Sequence, residues 1–248
     1  MLDKISACKP DLIVVIAFGQ KVGSHLISLP AKAAINVHAS LLPKYRGAAP
    51  VNWAIINGDT ETGVSIITIA EKMDAGKILA QTTTPIGHDE TAGQLHDKLA
   101  ELAAGLLIRT IEQIETGTAV YQPQDSLKVT KAPKLKKSDG FLDWNESAAT
   151  LRNLIRGVWP WPGAQADYLS QKTKKSCRVI IAAAEVVKAS TEQPILPGTI
   201  DENLNVICGK DALKITKIKP AGSALMDFTA FANGRQTAPG DLFIKIDQ

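Results

Sequence analysis

Asn36 and His38 stand two apart at the end of the apolar stretch AAINVH, after which the chain breaks into ASLLPKYRGAAP. In a strand, residues i and i+2 point to one face, so the amide and the imidazole share a face and Ile35 and Val37 take the other. An imidazole can move a proton near neutral pH or donate to a carbonyl oxygen. An amide can donate to the same oxygen as negative charge gathers on it. Together they suit attack on a carbonyl-like carbon through a tetrahedral intermediate. Neither is a strong nucleophile, and no cysteine or GxSxG serine lies nearby in the sequence, so the attacking group is expected from a substrate. Asp74, in AEKMDAGKI, is a third polar residue that could orient the histidine. Two plainer readings stay open: a histidine satisfied by backbone at a strand end, and an aspartate that forms a turn before Ala75 and Gly76. The histidines His25, His38, His88 and His96 show no helical zinc spacing.

The elements that must hold these residues follow from the pattern around them. DLIVVIAFG, residues 11–19, is a continuous apolar run bounded by Pro10, which reads as a strand buried on both faces of a parallel sheet. A short helix in residues 20–30 and a strand at residues 33–38 complete one βαβ unit. Asn36 and His38 then lie at the C-terminal end of a parallel strand, where open α/β sheets place their sites. TGVSIITI (62–69) and GKILAQTTTPI (76–86) read as further strands around the Asp74 turn. Thr91 caps an amphipathic helix whose apolar face carries Leu95, Leu99, Leu102, Leu106, Ile111 and Ile114 and which stops at Gly117.

YQPQDSLKVTKAPKLKKSDG is rich in proline and lysine without a period and reads as a linker. After it come a short helix at 145–157 and β-like pieces at even spacing, the pattern of a small barrel. The expected division is 1–120, a linker at 121–144, and 145–248.

The 248 residues allow two domains, and 45% apolar composition is enough to bury their cores. The three cysteines are far apart and odd in number, which argues against a disulfide framework and for a reducing compartment. The longest apolar run is too short to cross a membrane, and the opening MLDKISACKPD lacks signal-peptide anatomy, so the protein is expected in the cytoplasm. Net charge is −2 over residues 1–124, +6 over 125–178 and −1 over 179–248. A basic stripe fits a polyanion partner, and it also fits a solvated linker.

INVHASLLPKYRGAAP, followed by NGDTETGVSI and KMDAGKIL, resembles the signature of the folate-dependent formyltransferases. The second half, with DWNESAATLRNLIRGVWPWPGA, ITKIKPAGSALM and APGD, is similar to the members that act on methionyl-tRNA. The resemblance implies an α/β fold: a Rossmann-like formyltransferase domain joined through a basic linker to a C-terminal OB-like β-barrel. It implies 10-formyltetrahydrofolate as formyl donor, with no metal, and initiator methionyl-tRNA, gripped at its acceptor stem, as acceptor, the protein acting as a monomer. Asn36, His38 and Asp74 correspond to the family's catalytic trio. Ser40, Leu41, Leu42 and Pro43 correspond to its folate-contacting loop, and Phe18 and Gly19 fall by position at the other edge of that slot. Lys134, Lys136, Lys137, Arg152 and Arg156 are candidate phosphate contacts.

No match to the family's opening strand and GTPxFA-like turn is found, a difference of about two βα units, roughly 60 residues. The chain is therefore expected to be truncated at its N-terminus, with the Val14-Val15-Ile16 strand near a raw sheet edge, and a poor enzyme as it stands. An aminosugar formyltransferase and a non-catalytic tRNA-binding remnant are the rival readings.

Overall fold

A computed structural model describes residues 2–20, 22–189 and 195–246. Residue 21, inside the segment expected to be helical, lies outside them. The chain forms two compact units: Met1–Ala54, Asp59–Glu90 and Gln94–Lys134 in the first, and Ile55–Gly58, Thr91–Gly93 and Leu135–Gln248 in the second. The main division, Lys134/Leu135, falls inside the segment expected to be a linker.

Up to the division the order is α1 (Leu2–Ala7), β1 (Leu12–Ile16), α2 (Ser24–Ile27), β2 (Ala33–His38), β3 (Arg46–Gly47), α3 (Pro50–Ile56), β4 (Glu61–Thr68), β5 (Ile78–Pro85), α4 (Ala92–Glu115) and β6 (Lys131–Ala132). A four-stranded sheet has the order β1-β2-β4-β5. β1 and β2 are parallel, as a βαβ unit requires, with Ile16 beside Val37. β4 runs antiparallel to β2, so the sheet is mixed rather than parallel. The reason is topological: the connection over residues 39–60 leaves β2 and enters β4 at the same end of the sheet.

The reading of the first apolar run as a strand buried on both faces is corrected, and the raw edge expected at Val14-Val15-Ile16 is what the structure has. β1 is an edge strand, its residues are only half-buried, and Ile16 and Phe18 are 57% and 53% exposed. An apolar run makes a strand able to sit in an interior; only neighbouring elements put it there. Ile35, Ile66 and Ile67 of the central strands are fully buried, each contributing about 1.5–3 kcal/mol of transfer free energy. On α4 the predicted face holds, with Leu95, Leu99, Leu106 and Ile114 buried. Thr110 joins them, its hydroxyl satisfied by donating to Leu106 O at 2.7 Å. No helix among the described residues is long and apolar enough to cross a membrane.

The second unit holds α5 (Ala148–Gly157), β7 (Ala164–Leu169), β8 (Ser176–Val187), β9 (Val206–Ile207), β10 (Ala212–Pro220), β11 (Met226–Asp227), α6 (Phe228–Arg235) and β12 (Leu242–Ile244). Antiparallel pairing runs β11-β10-β8-β7-β12, with β9 on β10. Bridges from Thr199 to Leu242 and from Ile200 to Val206 bring the ends together, giving a nearly closed barrel-like sheet. Ser147 caps α5 by accepting from Thr150 N. β7 alternates buried and half-buried residues along its length, as a strand with one face in a core must.

A carboxylate closes this unit. Asp241, 2% exposed, accepts from Tyr168 Oη at 2.6 Å, Gln171 N at 2.7 Å and Ala238 N at 3.0 Å. Tyr168 packs edge-on against Phe231 at 5.1 Å and beside Phe243 at 5.6 Å. Burial, reinforced by the hydrogen bond to Asp241, pushes the Tyr168 phenol up to about 12. The unfolded phenol ionises near about 10, so between the two values the folded state binds more protons and stability falls as pH rises. Alkaline titration of the melting temperature should therefore show a decline over about pH 10–12 that Tyr168→Phe flattens. Parallel curves for the two proteins would remove Tyr168 from that decline.

Candidate active site

β2 presents Asn36 and His38 from one face at its C-terminal end. The chain leaves β1 through Phe18 and Gly19 at that same end, because the two strands are parallel and in register. Asn36 is half-buried. Its side-chain amide makes no hydrogen bond among the described residues, leaving two donors and an acceptor to offer. His38 is buried, and Asp74 approaches its Nδ1 with Oδ2 at 3.7 Å, with side-chain exposures of 7% and 12%. That is within reach of an ion pair and longer than a hydrogen bond.

The other ring nitrogen is more tightly held. His38 Nε2 lies 2.9 Å from Tyr45 O. A carbonyl only accepts, so Nε2 carries the proton. The orientation looked for from Asp74 comes here from the backbone of Tyr45, and Nδ1 is the ring atom turned to the carboxylate. Tyr45 is itself fixed: φ is +63°, its N–H donates to Thr130 Oγ1 at 2.8 Å and its hydroxyl to Asp59 Oδ2 at 2.9 Å.

Asp74 stands in a left-handed turn with φ +51°, a conformation that aspartate tolerates better than most residues. Its Oδ2 accepts from Gly47 N at 2.9 Å. Gln124 Nε2 donates to the carbonyls of Asp74 and Gly76, each at 2.8 Å, while its Oε1 accepts from Arg46 Nε at 3.0 Å and Nη2 at 2.7 Å. The short parallel pair β3–β6 carries Arg46 and Gly47. A Cβ on Gly47, whose φ is +132°, would stand 2.3 Å from Ala132 O, so only glycine lets the two strands meet.

The loop after β2 is shaped from within. Ser65 Oγ donates to Ser40 O at 2.6 Å and accepts from Leu42 N at 3.0 Å and Gln81 Nε2 at 2.8 Å, which uses its full capacity. Gln81 also donates to Leu42 O at 2.9 Å, and Ser40 Oγ to Lys44 O at 2.7 Å. Ser40 and Leu42 are buried with their polar groups spent inside the protein, whereas Leu41 and Pro43 are half-buried and Phe18 is exposed. Of the basic residues singled out, Lys134, Lys136 and Lys137 are exposed. Arg156 is different: it is 9% exposed, with Nε donating to Asn153 Oδ1 at 3.1 Å, so it is not a free surface cation.

Residues 1–111 match the family described as "Formyl transferase", and residues 134–236 match "Formyl transferase, C-terminal domain". The methionyl-tRNA formyltransferase of Trichlorobacter lovleyi is 42% identical over 248 residues, a match that covers 98% of this chain and 75% of that protein. The chain belongs to the methionyl-tRNA formyltransferase family. The methionyl-tRNA formyltransferase of Citrifermentans bemidjiense is similarly close, at 40% identity over 99% of this chain and 76% of its own length. Among solved structures, HypX from Aquifex aeolicus in complex with tetrahydrofolic acid superposes with a TM-score of 0.69 at 18% identity, over 100% of this chain and 44% of that one. At that identity the likeness concerns the fold: a Rossmann-like domain and a barrel-like C-terminal domain.

In this member of the methionyl-tRNA formyltransferases, sequence reasoning missed Tyr45, Arg46, Gly47 and Gln124. Tyr45 and Gly47 act through backbone atoms, which leave no side-chain signature. Gln124 sits in the proline- and lysine-rich segment where no period marks it. Its only signal is a neutral polar residue just before the basic run.

Proposed function

We propose that this chain transfers the formyl group of 10-formyltetrahydrofolate to the amino group of methionine esterified to initiator tRNA, in the cytoplasm. The observation that carries the proposal is the meeting of His38 and Asp74 on the strand end where Asn36 offers an unengaged amide. These residues fit the donor: a buried imidazole beside free amide N–H groups suits a small carbonyl oxygen, and exposed Phe18 with half-buried Leu41 and Pro43 suits a flat, partly apolar ring system. Gly19 gives that edge room, with nothing within 4 Å of its Cβ position. Ser40 and Leu42 hold the loop in shape behind it.

The folate donor supplies the formyl carbon and, as its C–N bond breaks, takes up one proton on the leaving nitrogen. The methionyl amine forms the new N–C bond and gives up one proton. Asn36 donates to the formyl oxygen as charge gathers there. His38, with Nε2–H given to Tyr45, presents the Nδ1 lone pair to the amine's proton. Asp74 Oδ2, across a gap of 3.7 Å, stabilises the imidazolium that results. One copy carries all three groups, consistent with action as a monomer.

The test is direct: the purified chain, with the folate donor and charged initiator tRNA, should yield formylmethionyl-tRNA slowly, and the chain extended by the family's opening strand and GTPxFA-like turn should yield it faster. A folded preparation that binds both substrates and forms no product would overturn the proposal. The acceptor's phosphates are expected to meet the exposed lysines. Replacing Lys134, Lys136 and Lys137 by Glu should weaken tRNA binding and flatten its salt dependence, since each lost phosphate contact removes about 0.7–0.9 from the log–log slope. An unchanged slope would return these lysines to solvent.

A further inference from the structure

We propose that Gln124 is a positioning residue for Asp74, holding the carboxylate in place through the backbone of its turn; this rests on the catalytic role given to Asp74 above. Gln124 uses both ends of its amide. The NH2 end spans the left-handed turn by donating to the carbonyls of Asp74 and Gly76. The oxygen end takes two hydrogen bonds from the Arg46 guanidinium, which fixes which way the amide faces. The residue after Arg46, Gly47, donates its N–H to Asp74 Oδ2. One ring of hydrogen bonds therefore ties the turn's backbone and its carboxylate to the same two-residue strand.

Only an amide can do this. Glutamate would still accept from Arg46 but has no donor for the turn carbonyls, and methionine fills the space with neither function. Among the described residues no hydrogen bond joins Gln124 to Asn36 or His38, so its influence on them passes through Asp74. A left-handed aspartate stores local strain that surrounding contacts must hold. Without the clamp the turn can relax, and the distance between His38 and Asp74 is no longer fixed.

Gln124→Met and Gln124→Glu should each lower kcat about 10- to 100-fold, the usual result of displacing a reacting group by an ångström or so, with KM for both substrates within about two-fold. The decisive comparison is a double-mutant cycle. Asp74→Asn combined with Gln124→Met should be no slower than Asp74→Asn alone, because the clamp has nothing left to position. Losses that multiply, or Gln124 variants with full activity beside a crippled Asp74→Asn, would overturn the proposal. An Asp74→Asn enzyme as fast as the unmutated one would instead overturn the catalytic reading of Asp74. A readout that needs neither turnover nor a stable variant is amide exchange in the unmutated chain. The Gln124 side-chain protons and the Gly47 N–H should both be protected, and exchange as fast as that of an exposed glutamine would sink the clamp.

Discussion

His38→Ala should lower turnover by about two to four orders of magnitude, the usual size of a lost acid–base or oxyanion contribution. Folate affinity should move far less. The ring is buried, its Nε2 is spent on Tyr45, and Nδ1, beside Asp74, is the ring nitrogen left for chemistry. The residues proposed for the donor slot, Phe18, Gly19, Leu41 and Pro43, reach it from other points of the chain. Single-turnover rates and equilibrium binding of a folate analogue, measured on the same preparations, separate the two effects. If binding and turnover fall together, His38 is a binding residue and the proton-transfer role is wrong. His38→Gln, which can still donate to Tyr45, should be as slow as the alanine variant if the Nδ1 lone pair is what matters.

Gly47→Ala should be a severely damaging methyl addition near the site. The new carbon would have to occupy a position 2.3 Å from Ala132 O at a φ of +132°, where no L side chain rests comfortably. The β3–β6 pair must separate, and the N–H that holds Asp74 moves with it. A loss of about 2–4 kcal/mol in the first unit is expected, the range for overpacking with backbone strain. Turnover should fall along with it. Chemical denaturation followed by a probe in residues 1–134, beside the formylation rate, checks both. A variant with an unchanged midpoint and rate would show that the strand pair can yield without consequence to Asp74.

The pairing of Asn36 with His38 was readable because both are chemically distinctive and locally spaced, whereas Asp74 was equally open to a turn reading and joined the proposed trio only through the resemblance. Asn36 and His38 share a face by strand geometry alone, and β2 spans the predicted residues, Ala33–His38. The amphipathic α4 and the even spacing of β8, β9 and β10 were equally legible, because burial on one side leaves a period in the chain. What stayed hidden depends on partners distant in sequence. Nothing in LIVVI says that its strand lies at a sheet edge. Nothing local in PVNWAII announces a helix, since its β-branched residues suit a strand as well; the helix forms with Val51, Ala54 and Ile55 buried. The Asp241 latch was visible only as the string APGD, without its reason. Its partners, Tyr168 and Gln171, lie about seventy positions earlier.

The two-residue pair β3–β6 also sets a schedule. Arg46 and Gln124 are 78 positions apart, with α3, β4, β5 and the whole of α4 between them. Closing so long a loop for so few hydrogen bonds is entropically unfavourable until the intervening elements have folded. On a ribosome, a nascent chain that has emerged through residue 115 already contains Asn36, His38 and Asp74, yet lacks the Gln124, Thr130 and β6 contacts that fix the Asp74 turn and Tyr45. Assembly of the reactive geometry is thus a late event, completed only when residues 124–132 arrive. By the same logic, it is among the first parts of the unit to come apart under mild denaturant, ahead of the buried isoleucines of β2 and β4.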